Sequence, residues 1–205
     1  MTHGVVPNRV AERTRLSMAP VAERLHRAGI TANLVTVLGG ALTIIGAGLL
    51  AAGMLVPALI VLVLGALADT LDGQIAKAAG GGTRFGAFLD STIDRVADAA
   101  LFVGTAIAAV LLGQPGLLWF ALVALVASSL VPYVRAKAES LGVSGNVGPA
   151  PREARIVIFL VGLAAWAIFD LQPAFVAAVL IVALLAAVTL IVRIVHVGDQ
   201  LSIRR

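Results

Sequence analysis

Apolar residues dominate this chain in six long runs, each ending at a cluster of Gly, Pro or charged residues. The runs cover Asn33–Gly53, Leu55–Ala79, Gly86–Leu112, Leu117–Ala138, Arg152–Phe169 and Pro173–Ile194. Each is close to the roughly 20 residues a helix needs to cross a bilayer. The pattern therefore predicts an all-α integral membrane protein with six transmembrane helices. Ahead of them, Val10–Arg27 sets Val10, Leu16, Met18, Val21 and Leu25 among arginines, which predicts an interfacial amphipathic helix. The implied division is 1–29 for a cytoplasmic or interfacial helix, 30–197 for the six-helix domain and 198–205 for a short cytoplasmic tail.

Composition agrees with that class. Hydrophobic residues make up 60% and charged residues 13%, about half the charge of ordinary soluble domains, and the mean hydropathy is +1.03. The absence of cysteine excludes disulfides, thiolate metal sites and thiol nucleophiles. Met1–Gly29 is polar and Arg-rich, unlike a cleaved signal peptide. The net charge of +4 would suit nucleic acid, but the basic residues flank apolar spans. A membrane surface is the better partner. The connections around 53–57, 113–116 and 170–173 carry no Lys or Arg. All the basic residues fall on the other side, which predicts cytoplasmic termini.

Against this background stand four aspartates: Asp69, Asp72, Asp90 and Asp94. A carboxylate at membrane depth costs on the order of 3 kcal/mol even on lenient scales, so four together call for a compensating cation. Asp69 and Asp72 are three apart, and Asp90 and Asp94 four apart. On helices each spacing puts both side chains on one face. A joint at 78–83 containing Gly80, Gly81 and Gly82 lets two such helices bring the pairs together. Oxygen-only ligands suit Mg²⁺ or Mn²⁺, and four carboxylates suit two ions per active site. His3, His26 and His196 are isolated near the ends, so no zinc site is expected. Asp98, one turn beyond Asp94, is expected to brace the site or pair with an arginine. A salt-bridged network with Lys77, Arg84 and Arg95 is the alternative use for the aspartates.

The window resembles the signature of the CDP-alcohol phosphotransferase family. Asp69, Asp72, Gly73, Ala76, Lys77, Gly86, Asp90 and Asp94 fall at its spacing, with Lys77 where the family usually has Arg. A lysine keeps the charge but loses the bidentate fork. The resemblance implies a dimeric membrane enzyme in which Asp69, Asp72, Asp90 and Asp94 hold the ions. In it Asp94 also serves as the base on the acceptor hydroxyl. It further implies that Asn33, Leu34, Val35, Thr36, Gly73, Lys77 and Thr83 contact CDP-diacylglycerol. The expected setting is the cell membrane, multi-pass, with the active site facing the cytoplasm.

The acceptor is read from the second half. Arg152 and Arg155 open an apolar run just after Pro151. Cations there oppose the helix dipole, and an anion would relieve the field. With Arg135, Lys137 and Arg193 they form a candidate acceptor-phosphate pocket; snorkelling cations are the plainer reading. These stretches, with Gly80–Gly86, resemble the actinobacterial phosphatidylinositol-phosphate synthases within the family. That resemblance implies transfer of a phosphatidyl group to inositol 1-phosphate, giving phosphatidylinositol phosphate and CMP. A phosphatidylglycerophosphate synthase using glycerol 3-phosphate is the nearest alternative, and a cation transporter the remote one.

Overall fold

A computed structural model describes residues 8–203, with side chains for 18–202. Val10, Leu16, His3, Arg204 and Arg205 therefore lie outside the described side chains. Seven helices account for the described chain: α1 (Asn8–Arg27), α2 (Ala32–Ala51), α3 (Leu55–Ala78), α4 (Arg84–Leu111), α5 (Pro115–Ser140), α6 (Arg152–Phe169) and α7 (Gln172–Ile203). Among the described residues there is no strand.

Four of the helices, α2, α3, α5 and α7, are long and apolar enough to cross a membrane. The other two expected spans are held back by their own charges. Asp90, Asp94, Arg95 and Asp98 lie between the N-terminus and the middle of α4, and Arg152, Glu153 and Arg155 in the first turn of α6. The largest boundary difference is at α7, which continues as helix from Ile194 to Ile203. The apolar run fades there, but backbone hydrogen bonding does not need apolar side chains.

The chain forms two compact units, one through Gly104 and the other from Thr105 on. In the first, α2 and α3 meet along a seam of small residues. A Cβ on Gly46 would stand 2.6 Å from Leu62 Cγ, and one on Gly65 2.7 Å from Thr43 Oγ1. Such absences of side chain let backbones approach where lipid supplies no hydrophobic drive. Gly40 opens a second seam, where a Cβ would collide with Ile93 of α4. The last turns of α1 lie on this pair, with Ala22 packed among Val35 and Ile75 and flanked by Leu25 and Leu71.

In the second unit α7 packs against both α5 and α6. Phe175 stands edge-on to Phe159 at 5.3 Å and stacks on Trp166 at 5.4 Å. Around them Leu163, Val179 and Val182 are fully buried. Pro132 lies inside α5; its missing N–H leaves the Ser128 carbonyl without its usual intrahelical donor.

Candidate metal centre and basic cluster

The acidic residues sit on the α3–α4 hairpin, whose turn is built by local rules. Gly80 N–H donates to Lys77 O and Gly81 N–H to Ala76 O, the paired bonds of a Schellman stop. Both glycines have positive φ, 89° and 124°, which side chains resist. Thr83 then caps α4, its Oγ1 accepting from Gly86 N–H at 2.9 Å. The chain thus reverses within five residues, 79–83. Asp69 lies in the last turns of α3, and Asp90 and Asp94 in the early turns of α4.

Asp69, Asp90 and Asp94 each offer a carboxylate oxygen, and these oxygens lie within 4.8 Å of one another. Two oxygens on one Mg²⁺ stand at most about 4.2 Å apart, twice the metal–oxygen distance. A contraction of well under about 1 Å, within the reach of rotating carboxylates, closes the ring, so this donor set fits a hard divalent ion. Arg95 Nη2 approaches Asp94 Oδ2 at 3.4 Å, a long contact between sequence neighbours.

Asp72 is used differently. It is buried, and its Oδ2 accepts from Thr36 Oγ1 at 2.6 Å. The same hydroxyl lies 3.0 Å from Ala32 O. It has one proton, and the shorter, charge-assisted contact is the stronger claim on it. One oxygen of Asp72 is therefore held by α2.

The sequence-predicted lipid contacts divide by environment. Asn33 and Thr83 converge on Gly86, where a Cβ would stand 3.0 Å from Asn33 Oδ1 and 3.1 Å from Thr83 Oγ1. Nothing lies within 4 Å of the Cβ position of Gly73, leaving the open space expected beside Asp72. Lys77 and Leu34 are exposed, Val35 is buried in the cluster with Ala22, and the Thr36 hydroxyl is engaged by Asp72. Asp98 is buried.

In the second unit Arg193 lies close enough to both Arg135 and Arg155 to feel each as a like charge. Arg155 is 5% exposed and donates to Ser128 Oγ at 3.3 Å. Arg193 donates from Nε to Val147 O at 3.0 Å and from Nη1 to Val131 O at 2.8 Å. Arg135 pairs with Glu139 at 2.8 Å on the exposed face of α5. Lys137 is exposed and Arg152 half-buried. The two carbonyls hold the Arg193 guanidinium in place without neutralising it. Sequence reasoning missed Ser128, whose only hint was the nearby Pro132. It also missed Val131 and Val147, which act through backbone atoms and leave no residue-type signal.

Comparison with known proteins agrees with this chemistry. A phosphatidylinositol phosphate synthase of Mycolicibacterium smegmatis is 41% identical over 179 residues, covering 85% of this chain and 81% of that one. The phosphatidylinositol phosphate synthase of Mycobacterium tuberculosis, solved with manganese and citrate, superposes with a TM-score of 0.81 at 33% identity, covering 88% of each chain. The same enzyme with CDP-DAG bound gives 0.78 at 34% identity, covering 88% of this chain and 92% of that one. The CDP-alcohol phosphatidyltransferase profile matches residues 29–196, and the chain belongs to that family.

Proposed function

We propose that this protein transfers the phosphatidyl group of CDP-diacylglycerol to a hydroxyl of inositol 1-phosphate, releasing CMP. The observation that carries the reading is the convergence of Asp69, Asp90 and Asp94 at a capped helical hairpin, joined to the family match. Asp69, Asp72, Asp90 and Asp94 would hold two divalent ions, Mg²⁺ or Mn²⁺. Bound there, the ions supply charge neutralisation for the pyrophosphate and the leaving phosphate.

The protein's own groups do the rest. Thr36 orients Asp72 through one oxygen and leaves the other for a ligand. Asp94, 17% exposed at its side chain, takes the proton from the acceptor hydroxyl. That oxygen forms a bond to the β-phosphorus of the liponucleotide as the bond from phosphorus to the bridging oxygen breaks, and CMP departs with that oxygen. Gly73 leaves room for the head group, Lys77 offers a cation to its phosphates, and Asn33 and Thr83 line the approach at Gly86. Arg155 and Arg193, with Arg135, Lys137 and Arg152 around them, take the acceptor's phosphate.

The same reading gives six membrane-crossing helices, with α4 and α6 joining the four apolar ones and α1 lying in the interface. It sets the protein in the cell membrane as a homodimer, with its acidic centre facing the cytoplasm. A transporter reading would spread polar groups over repeats and broken helices, whereas these acids share one hairpin.

The experiment is parallel turnover. Purified protein with CDP-diacylglycerol and Mg²⁺ receives inositol 1-phosphate, glycerol 3-phosphate or free inositol, and CMP release is measured. Turnover with inositol 1-phosphate is expected, to be lost on chelation and restored by Mg²⁺ or Mn²⁺. Turnover with glycerol 3-phosphate alone would move the assignment to phosphatidylglycerophosphate synthesis, and none with any acceptor would sink the enzyme reading.

A further inference from the structure

The connection between α5 and α6, residues 141–151, contains neither strand nor helix, yet it is tied along its length. Ser144 N–H donates to Gln200 Oε1 at 3.2 Å, and Gln200 Nε2 donates back to Ser144 O at 2.8 Å. One side-chain amide thus pairs with both backbone groups of a single residue, as a neighbouring strand would. Three residues on, Val147 O accepts from Arg193. At the next residue, Gly148, a Cβ would stand 2.5 Å from Thr189 Cγ2.

These three α7 residues share a face. At 3.6 residues per turn, Thr189, Arg193 and Gln200 fall within about 40° of arc. The lengths also match. From Val147 to Ser144 an extended chain covers about 10 Å, and from Arg193 to Gln200 the helix rises about 10 Å. The segment therefore lies antiparallel along α7 as a strap. Its other side presses on α5, where a Cβ on Gly145 would stand 2.9 Å from Arg135 Cα and 3.0 Å from Ala138 Cβ.

We infer that Gln200 is a positioning residue for the phosphorylated acceptor: its two bonds to Ser144 lock the strap, so that the Val147 carbonyl fixes the Arg193 guanidinium. The inference rests on the proposed role of the arginines in holding the acceptor's phosphate. Arg193 is held between two carbonyls, Val131 of α5 and Val147 of the strap. The first is fixed by its helix. The second belongs to irregular chain, and Gln200 is the side chain whose paired hydrogen bonds fasten that chain nearby. With the latch open, Arg193 retains its charge but loses its direction. A planar guanidinium depends on direction for its grip on an oxyanion.

Gln200→Ala and Gln200→Glu test this in the full-length enzyme; the second keeps an acceptor for Ser144 N–H but sets a carboxylate against Ser144 O. Gln200→Ala should raise KM for inositol 1-phosphate about fivefold, the low end of the loss expected for a pair of hydrogen bonds, with KM for CDP-diacylglycerol and kcat little changed. Gln200→Glu should give an effect of similar size. Amide exchange at Ser144 should accelerate in Gln200→Ala. Faster exchange with unchanged acceptor KM, or an equal rise in both KM values, would overturn the positioning role. Unaltered exchange would overturn the latch itself. A wild-type enzyme whose turnover does not depend on inositol 1-phosphate or glycerol 3-phosphate would instead refute the functional reading, and the acceptor role of Gln200 with it.

Discussion

The unit ending at Gly104 is acidic at its working end and carries its chemistry in side chains packed into a few dozen residues. The unit from Thr105 on is basic at its working end and assembles its cluster from residues as far apart as Ser128 and Arg193. In the first, helical spacing and a capped turn suffice to bring carboxylates together, because neighbours in sequence are neighbours in space. In the second, the cations of α6 and α7 bond to a hydroxyl and to carbonyls, and loop backbone does part of the work. The carboxylate cluster is thus a local device, whereas the arginine cluster is a tertiary one.

The sharpest way to break this comparison is Asp94→Asn. If Asp94 is the proton acceptor, CMP release should fall by about 10²–10⁴-fold while the protein still inserts and elutes as the wild type. Normal turnover would remove it as the base. Next, Arg155→Ala removes a buried cation hydrogen-bonded to Ser128. It should weaken acceptor binding on the order of a hundredfold, as truncation of buried charged contacts does, with KM for CDP-diacylglycerol nearly constant. Equal damage to both substrates would merge the two functions that the comparison separates.

Thr36→Val deletes the hydroxyl that holds Asp72 and keeps its shape. Mn²⁺ affinity, followed by electron paramagnetic resonance without substrate, should drop about tenfold, the range seen when a ligand's supporting hydrogen bond is removed. Unaltered affinity would make the hydroxyl a packing group only. The smallest effect belongs to Lys77→Arg. The side chain is exposed and the charge is kept, so activity should stay within about twofold; a dead enzyme would show that a compact ammonium is required there.

Much of the architecture was legible in the chain because membrane helices announce themselves by length and apolarity. The α6 limits, Arg152–Phe169, match the apolar run, and the others agree within a few residues except at α7. There the run stops at Ile194 while the helix continues to Ile203. The hydropathy criterion reports where lipid contact ends, and hydrogen bonding outlasts it. The overlooked stretch holds Gln200. Thr36 shows a different limit: its motif position suggests head-group contact, yet its hydroxyl meets Asp72, 36 residues away.

The sequence by itself determined the class, the hairpin and the carboxylate chemistry, because periodicity, capping residues and charge spacing all act over one or two helical turns. Tertiary structure alone decided which aspartates converge and which is held by α2. It also decided which arginines form a cluster, and that an irregular strap is fastened to the end of α7. Those outcomes depend on backbone carbonyls and on close approaches at glycine, and neither is written in residue type.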